Sequence, residues 1–250
     1  MYSLSILIFE KFTRIIFIPF KYFIDRNDLK SYFRNRQSTL YKSYKMTDWE
    51  GLWSRDGGLQ PGQKFDATQP LPFLTKVFEK KLIPQGFGLI PGCGRGYAVG
   101  AFASQGNKVV GLELSKTAAD AARTYLNNNC SSKKELWKID EGSFFEYNAA
   151  EKFDFAYDYT FLCALDPDQR EAWAQKYAEL LKQNCKLMTV VFPIGGLEGI
   201  EGGPPYALSV KLVENLLLPH GFKKEFEQEL VEGEAHPGRE GKTTFCIWSK

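Results

Sequence analysis

The chain has 250 residues and a formal net charge of +2, and 44% of its residues are hydrophobic and 25% charged. This length and composition are typical of one large globular domain, or of a domain with an appendage, and exclude a fibrous or disordered chain. The near-neutral charge gives no general reason to bind nucleic acid. Five cysteines without a CxxC pair and only two histidines disfavour a disulfide framework and a metal site, and they indicate a reducing, cytoplasmic location.

The charge is unevenly distributed along the chain. Residues 1–45 carry 9 Lys and Arg against 3 Asp and Glu, whereas the rest of the chain has more acids than bases. The apolar stretch Leu4–Phe23 contains four charged residues, which is too many for a good membrane span. We therefore predict a domain boundary near residue 45. Residues 1–45 are interpreted as an amphipathic helix on a membrane surface, an organelle-targeting segment or a dispensable extension.

The domain after residue 45 alternates between helical and strand patterns. Thr47 is predicted to cap a short helix that carries Trp49 and Trp53 on one face. Further helices are predicted over 70–83, 97–105, 115–128, 167–183 and 208–218, and strands over 87–90, 108–114, 135–139, 153–158, 186–192, 222–230 and 243–248. The last two strands are expected to form an antiparallel pair. This alternation indicates an α/β fold with a mostly parallel sheet, whose ligands bind beyond the carboxyl ends of the strands.

A glycine-rich turn and an acid follow the first two strands. The run Gly92-Cys93-Gly94-Arg95-Gly96 has GxGxG spacing, which fits a ligand without a diphosphate better than a dinucleotide. Glu113 ends the second strand about 20 residues later, where an acid can accept hydrogen bonds from ribose hydroxyls. A tight turn and a helix-capping acid are the alternative interpretations. Together these residues predict S-adenosyl-L-methionine as the ligand, with Trp49, Trp53 and Tyr159 as aromatic faces for its sulfonium, although core packing would also explain the tryptophans.

Several motifs extend this interpretation to a family. The chain contains WEGLW (Trp49–Trp53), LIPGCGRG (Leu89–Gly96), VVGLELS (Val109–Ser115), FDFAYDYTFLCALDPDQREAWA (Phe153–Ala174) and GGPPYALSV (Gly202–Val210). With these motifs, residues 46–250 resemble the thiol and halide methyltransferases of the "harmless to ozone layer" type, within the thiopurine S-methyltransferase-like superfamily. The resemblance implies a doubly wound, Rossmann-like class I methyltransferase with a mostly parallel seven-stranded sheet and a C-terminal antiparallel strand.

The resemblance also implies roles for individual residues. It assigns the cofactor to a site formed by Trp49, Trp53, Gly92, Gly94, Glu113, Ser143, Phe144 and Tyr159. Glu113 stands where the family usually has Asp, and Ser143 stands where it has an acid, although Asp140 and Glu141 are near. A third tryptophan of plant members is absent, and Gly62 or Gln63 stands near its place.

The acceptor end of the site follows from the same resemblance. Tyr159 is expected to line the reacting end as the catalytic residue, and Phe161, Gly203, Pro204 and Tyr206 are expected to form the acceptor pocket. The expected reaction is in-line transfer of a methyl group to a small anion: hydrosulfide, a thiol, thiocyanate or a halide. The alternatives are a heterocyclic thiol or other larger acceptor, a binding module without catalysis, and a NAD(P)-dependent oxidoreductase, which the GxGxG spacing disfavours. We expect a monomer without a nucleic-acid partner, and membrane contact only through residues 1–45.

The predicted boundary has a direct test. A shortened chain that begins at Met46 is expected to fold and to keep methyltransferase activity, because the patterned α/β domain begins there. Circular dichroism and a methyl-transfer assay on the shortened and full-length chains would check this. Loss of folding or activity would place residues 1–45 within the domain.

Overall fold

The computed structural model describes residues 47–195 and 203–250. The predicted boundary near residue 45 and the interpretations of residues 1–45 lie outside the described residues. No helix in these two ranges is long and apolar enough to cross a membrane.

Six helices and seven strands are present in the described ranges. The helices are α1 (Trp49–Ser54), α2 (Leu74–Glu79), α3 (Tyr97–Ser104), α4 (Lys116–Asn129), α5 (Arg170–Leu180) and α6 (Val210–Leu217). The strands are β1 (Phe87–Pro91), β2 (Lys108–Glu113), β3 (Trp137–Glu141), β4 (Phe153–Tyr159), β5 (Leu181–Val191), β6 (Lys223–Glu229) and β7 (Thr244–Ser249).

The strands form one sheet in the order β3-β2-β1-β4-β5-β7-β6. Strands β1 to β5 are mutually parallel, and β7 runs antiparallel to both of its neighbours, β5 and β6. The predicted mostly parallel seven-stranded sheet with an antiparallel C-terminal strand is therefore confirmed. The strand order reverses direction between β1 and β4, which is where ligands of doubly wound sheets bind.

Helices cover both faces of the sheet, so the strands alternate between two apolar cores. Leu89 belongs to the core under α5 and α6, whereas its neighbour Ile90 belongs to the core under α2, α3 and α4. Phe155 and Ala156 of β4 divide between the two cores in the same way. Burial on both faces explains why these strands are apolar nearly throughout.

Most predicted element boundaries differ from the structure by one or two residues, and β5 begins at Leu181 and not at residue 186. Three differences have a structural reason. The helix predicted over 70–83 is limited to Leu74–Glu79, because Pro70 and Pro72 lack the N–H that a helix interior needs and Lys81 adopts a positive φ. The helix predicted over 167–183 ends at Leu180, since Leu181 already pairs with Phe153 in the sheet. The short helix α1 is capped by Asp48 and not by Thr47: the Asp48 carboxylate accepts from the Gly51 N–H at 2.8 Å.

Candidate active site

A cavity of about 680 Å³ lies at the carboxyl ends of the parallel strands. Of the residues predicted for the cofactor and acceptor, those that line it are Trp49, Trp53, Gly92, Gly94, Glu113, Ser143, Phe144, Tyr159, Phe161 and Pro204. Gly203 and Tyr206 do not line it. The Tyr206 hydroxyl instead donates to Asp166 at 2.7 Å, and its ring packs so closely on Gly203 that a Cβ there would lie 2.4 Å from Tyr206 Cδ1. These two residues support the wall that Pro204 and Pro205 form.

The turn after β1 forms the floor of the cavity, and its glycines are needed for steric reasons. Gly92 has a φ of +57°, and a Cβ at this position would lie 2.6 Å from Cδ2 of the Phe161 ring. Gly94 has a φ of +51°. Both conformations are unfavourable for residues with a Cβ, so the backbone of this turn comes close to whatever the cavity holds.

Glu113 connects the glycine turn to the next helix. Its Oε2 accepts from the Gly94 N–H at 2.9 Å, and its Oε1 accepts from the N–H groups of Leu114 at 2.8 Å and Ser115 at 3.0 Å. Burial raises the pKa of the Glu113 carboxyl, while these three N–H donors act in the opposite direction. A carboxylate offers about four lone-pair positions, so one remains on Oε2 for a hydroxyl donor.

Residues 47–68, which precede α2 and which we call the flap, form one side of the cavity. Phe65 packs edge-on against both Trp49 and Trp53, with ring centroids 5.9 and 5.6 Å apart. Arg95 of the glycine turn binds the flap, because its Nε donates a hydrogen bond to Asp66 at 2.7 Å. The Arg95 guanidinium also lies 5.5 Å from the Trp53 ring centroid, where it contributes a cation–π contact.

The side of the cavity next to β3 is apolar. Phe144 is buried and packs against Phe161 at a centroid distance of 5.1 Å, while Leu114 lines the cavity with 44% of its surface exposed. Neither Asp140 nor Glu141 lines the cavity, although both were considered as replacements for the acid absent at Ser143. Asp140 accepts from Tyr147, and Glu141 pairs with Arg123.

The opposite side, at the end of β4, carries a cation. Nη1 of Arg239 donates to the Tyr159 hydroxyl at 2.8 Å, and its guanidinium lies 4.7 Å from the Phe192 ring centroid. The His236 ring stacks on Tyr159 at 5.7 Å with an interplanar angle of 8°. Burial raises the pKa of Tyr159 to about 12, so its hydroxyl keeps its proton at neutral pH and can donate it in a hydrogen bond.

A buried acid fixes the backbone that carries Tyr159 and Phe161. Asp158 accepts from Trp173 Nε1 at 2.7 Å, from the Tyr177 hydroxyl at 3.0 Å and from the Leu162 N–H at 3.1 Å. These bonds stabilise the turn after β4, and burial raises the pKa of this carboxyl. Asp158 therefore fixes the position of the turn that carries Tyr159 and Phe161.

Sequence reasoning missed several residues of this site. Arg95 entered only as a member of the glycine run, and Phe65, Asp66, Leu114 and Arg239 had no role. Their partners are far away in the sequence, and a local pattern carries no such information. A signal existed only for Leu114, since an apolar side chain beside a ribose-binding acid is well placed to cover a planar ring.

Comparisons with known proteins agree with this geometry. The model of the thiopurine S-methyltransferase family matches residues 44–243. Over 203 residues the chain is 37% identical to a probable thiol methyltransferase 2 of Arabidopsis thaliana, covering 81% of this chain and 84% of the relative. It is 36% identical over 212 residues to thiocyanate methyltransferase 1 of the same plant, covering 84% and 88%. The solved structure of the glycopeptide N-methyltransferase MtfA with S-adenosyl-L-methionine aligns with a TM-score of 0.60 at 16% identity, over 76% of this chain and 99% of that one.

The sheet order and this structural likeness define a class I methyltransferase fold of the Rossmann-like type. Within that class, the chain belongs to the thiopurine S-methyltransferase family. The family depends on S-adenosyl-L-methionine, which is therefore the cofactor of this chain.

Glu113 gives the first test of the site. Glu113→Ala is expected to weaken binding of S-adenosyl-L-methionine and S-adenosyl-L-homocysteine by about 1–3 kcal/mol, because it removes a hydroxyl acceptor and leaves N–H donors unpaired. Titration calorimetry measures both affinities. Glu151→Gln is the control, because Glu151 precedes β4 and lies at the amino ends of the parallel strands, away from the cavity. An unchanged dissociation constant for Glu113→Ala would remove this acid from the cofactor site.

His236 predicts an acid sensitivity. Burial, with a contribution from Arg239, lowers the pKa of His236 to about 4, whereas an unfolded histidine titrates near 6.5. The unfolded state therefore binds the proton more tightly, and His236 should make folding stability fall as the pH drops from about 6.5 to about 4. We expect His236→Gln to lessen this loss. Thermal unfolding of the wild type and the variant at pH 7 and pH 4.5 measures the difference, and an equal loss in both proteins would contradict the assignment.

Proposed function

We propose that this chain transfers the methyl group of S-adenosyl-L-methionine, by in-line displacement, to a small anionic nucleophile: hydrosulfide, a thiolate, thiocyanate or a halide. The products are methylated thiols, methyl thiocyanate or methyl halides. The single observation that carries this choice of acceptor is the position of Arg239 on the wall of the cavity.

The residues of the cavity fit the cofactor. The remaining lone pair of Glu113 suits a ribose hydroxyl, Leu114 and Phe144 suit a planar base, and Trp49 and Phe65 give an aromatic roof. Glu113 lies at the end of β2 and Tyr159 at the end of β4. The glycine turn after β1 lies between them, because β1 lies between β2 and β4 in the sheet. The acid and the tyrosine are thus separated by two strand spacings of about 4.8 Å each. When bound, the cofactor supplies a methyl carbon activated by a positively charged sulfur.

Arg239 supports an anionic acceptor. Within the described residues it forms no ion pair with a carboxylate, and it donates a hydrogen bond to the neutral Tyr159 hydroxyl. Arg95, by contrast, is neutralised by Asp66 at 2.7 Å. An unneutralised guanidinium beside the rings of Phe192 and Tyr159, on the wall of a cavity, attracts an anion more strongly than it would in bulk water.

The reaction makes few demands on the protein. Thiols have a pKa of about 8.5, and a nearby guanidinium favours the thiolate, so a dedicated general base is unnecessary. Arg239 and the Tyr159 hydroxyl orient the anion, while the aromatic walls strip its water. Cys93, which is half-buried, and Cys163, which is buried, have no part in direct transfer, and desolvation raises the pKa of both thiols.

A larger heterocyclic thiol is the alternative acceptor. The family bears the name of thiopurine methylation, but the chain is more than a third identical to relatives named for thiol and thiocyanate methylation, which favours the small acceptor. A cytoplasmic location and a monomeric state stay predictions.

A headspace assay decides between these acceptors. The full chain with S-adenosyl-L-methionine is supplied with iodide, bromide, chloride, thiocyanate or hydrosulfide, and volatile methyl products are measured by gas chromatography. A parallel reaction contains a heterocyclic thiol. We expect methyl products from one or more of the small anions at higher kcat/KM than from the heterocyclic thiol. A higher kcat/KM for the heterocyclic thiol than for every small anion would make the heterocyclic thiol the acceptor instead.

The same assay tests Arg239. Arg239→Gln is expected to lower kcat/KM for the best anion by about 10–100-fold, because a charge-assisted contact to the anion is lost. Arg239→Lys keeps the charge and should retain more activity. Cofactor affinity should be unchanged in both variants. Equal kcat/KM in Arg239→Gln and the wild type would exclude Arg239 from the acceptor site.

A further inference from the structure

Glu50, which is exposed on α1, makes an unusual set of hydrogen bonds to the start of α4. Its Oε2 accepts from the Ser115 hydroxyl at 2.7 Å and from the Thr117 N–H at 3.1 Å, and its Oε1 accepts from the Thr117 hydroxyl. A carboxylate at a helix N-terminus satisfies an N–H that lacks an intrahelical partner and interacts favourably with the helix dipole. Here the carboxylate comes from a different helix, so it joins the flap to α4.

Within the described residues, the flap is otherwise attached through a small apolar cluster and through Arg95 and Tyr97. The cluster consists of Trp53, Leu59 and Ala118, with Phe65 packed against it, and it is separate from the two main cores. Arg95 donates to Asp66 and to the Leu59 carbonyl, each at 2.7 Å, and the Tyr97 hydroxyl donates to Asp66 at 3.0 Å. Because the cluster lies outside the main cores, the flap can loosen without unfolding the sheet and its helices.

Ser115 links the Glu50 contact to the cofactor site. Its N–H donates to Glu113 Oε1 at 3.0 Å, and its hydroxyl donates to Glu50 Oε2 at 2.7 Å. One residue thus bridges the acid at the end of β2 and the acid of the flap. The adjacent Trp49 and the deeper Trp53 stand on the same short helix as Glu50, so their distance from Glu113 depends on this bridge.

We propose that Glu50 is a positioning residue that holds the tryptophan flap against Glu113 and thereby sets how tightly, and for how long, the cofactor and its demethylated product are held. The proposal rests on the cofactor-binding part of the proposed function and is independent of the acceptor. It predicts a change in binding and release, with little change in global stability or in the affinity for the acceptor.

The test measures binding of S-adenosyl-L-homocysteine to the full chain by calorimetry, and its dissociation rate by stopped-flow tryptophan fluorescence. Glu50→Ala is expected to raise both the dissociation constant and the dissociation rate about tenfold, with an unfolding temperature close to that of the wild type. Asp120→Asn is the matched control. Asp120 is also an exposed acid near the start of α4, but it pairs with Lys116 and Arg123 of the same helix and not with the flap.

A second variant keeps the test valid if Glu50→Ala folds poorly. Thr117→Val removes the hydroxyl that donates to Glu50 while the flap sequence stays intact, and it should shift both quantities in the same direction by a smaller factor. Steady-state kinetics should show a raised KM for the cofactor with the acceptor KM unchanged. Wild-type binding in Glu50→Ala, or an equal shift in Asp120→Asn, would overturn the proposal. Failure of the wild type to bind S-adenosyl-L-homocysteine would instead overturn the cofactor assignment.

Discussion

The buried carboxylate of Glu113 organises the site. It accepts hydrogen bonds from Gly94, Leu114 and Ser115, so it connects the turn after β1, the end of β2 and the start of α4. Burial of an acid is unfavourable unless its oxygens are hydrogen-bonded, and backbone N–H groups supply those bonds without a neutralising base. The negative charge of Glu113 is therefore fixed in position, and one lone pair of Oε2 is available to a ligand.

The cavity has an acidic side and a basic side. Glu113 stands after β2, and Arg239 stands beside Tyr159 after β4, with the glycine turn between them. Such an arrangement suits two reactants of different charge that must meet over the turn. Among the other acids near the cavity, Asp66 is neutralised by Arg95, Asp166 accepts from Tyr206 and Asp158 is enclosed by neutral donors, while Lys64 also lines the cavity. Electrostatic interactions are stronger in a site of this kind than in water.

The flap is held by a small apolar cluster and by polar contacts, whereas the rest of the domain is held by two apolar cores. Glu50 contacts the start of α4 and Asp66 contacts the glycine turn, and both of these elements adjoin the cavity. Because the flap is attached separately from the main cores, we expect its polar residues to influence ligand binding more than global stability.

Much of the fold was determined by local sequence. Strand patterns separated by helical patterns predicted all seven strands and the class of sheet, because periodicity is a property of neighbouring residues. The glycine spacing and Glu113 predicted the region of the cavity for the same reason: a positive φ and a strand end are local features. Tertiary structure decided the rest. Pairing of Leu181 with Phe153 ended a helix that the sequence would have continued, and the partners of Arg95, Arg239 and Glu50 lie 29, 80 and 65 residues away. Such contacts form only when separate elements pack together, so no pattern along the chain could reveal them.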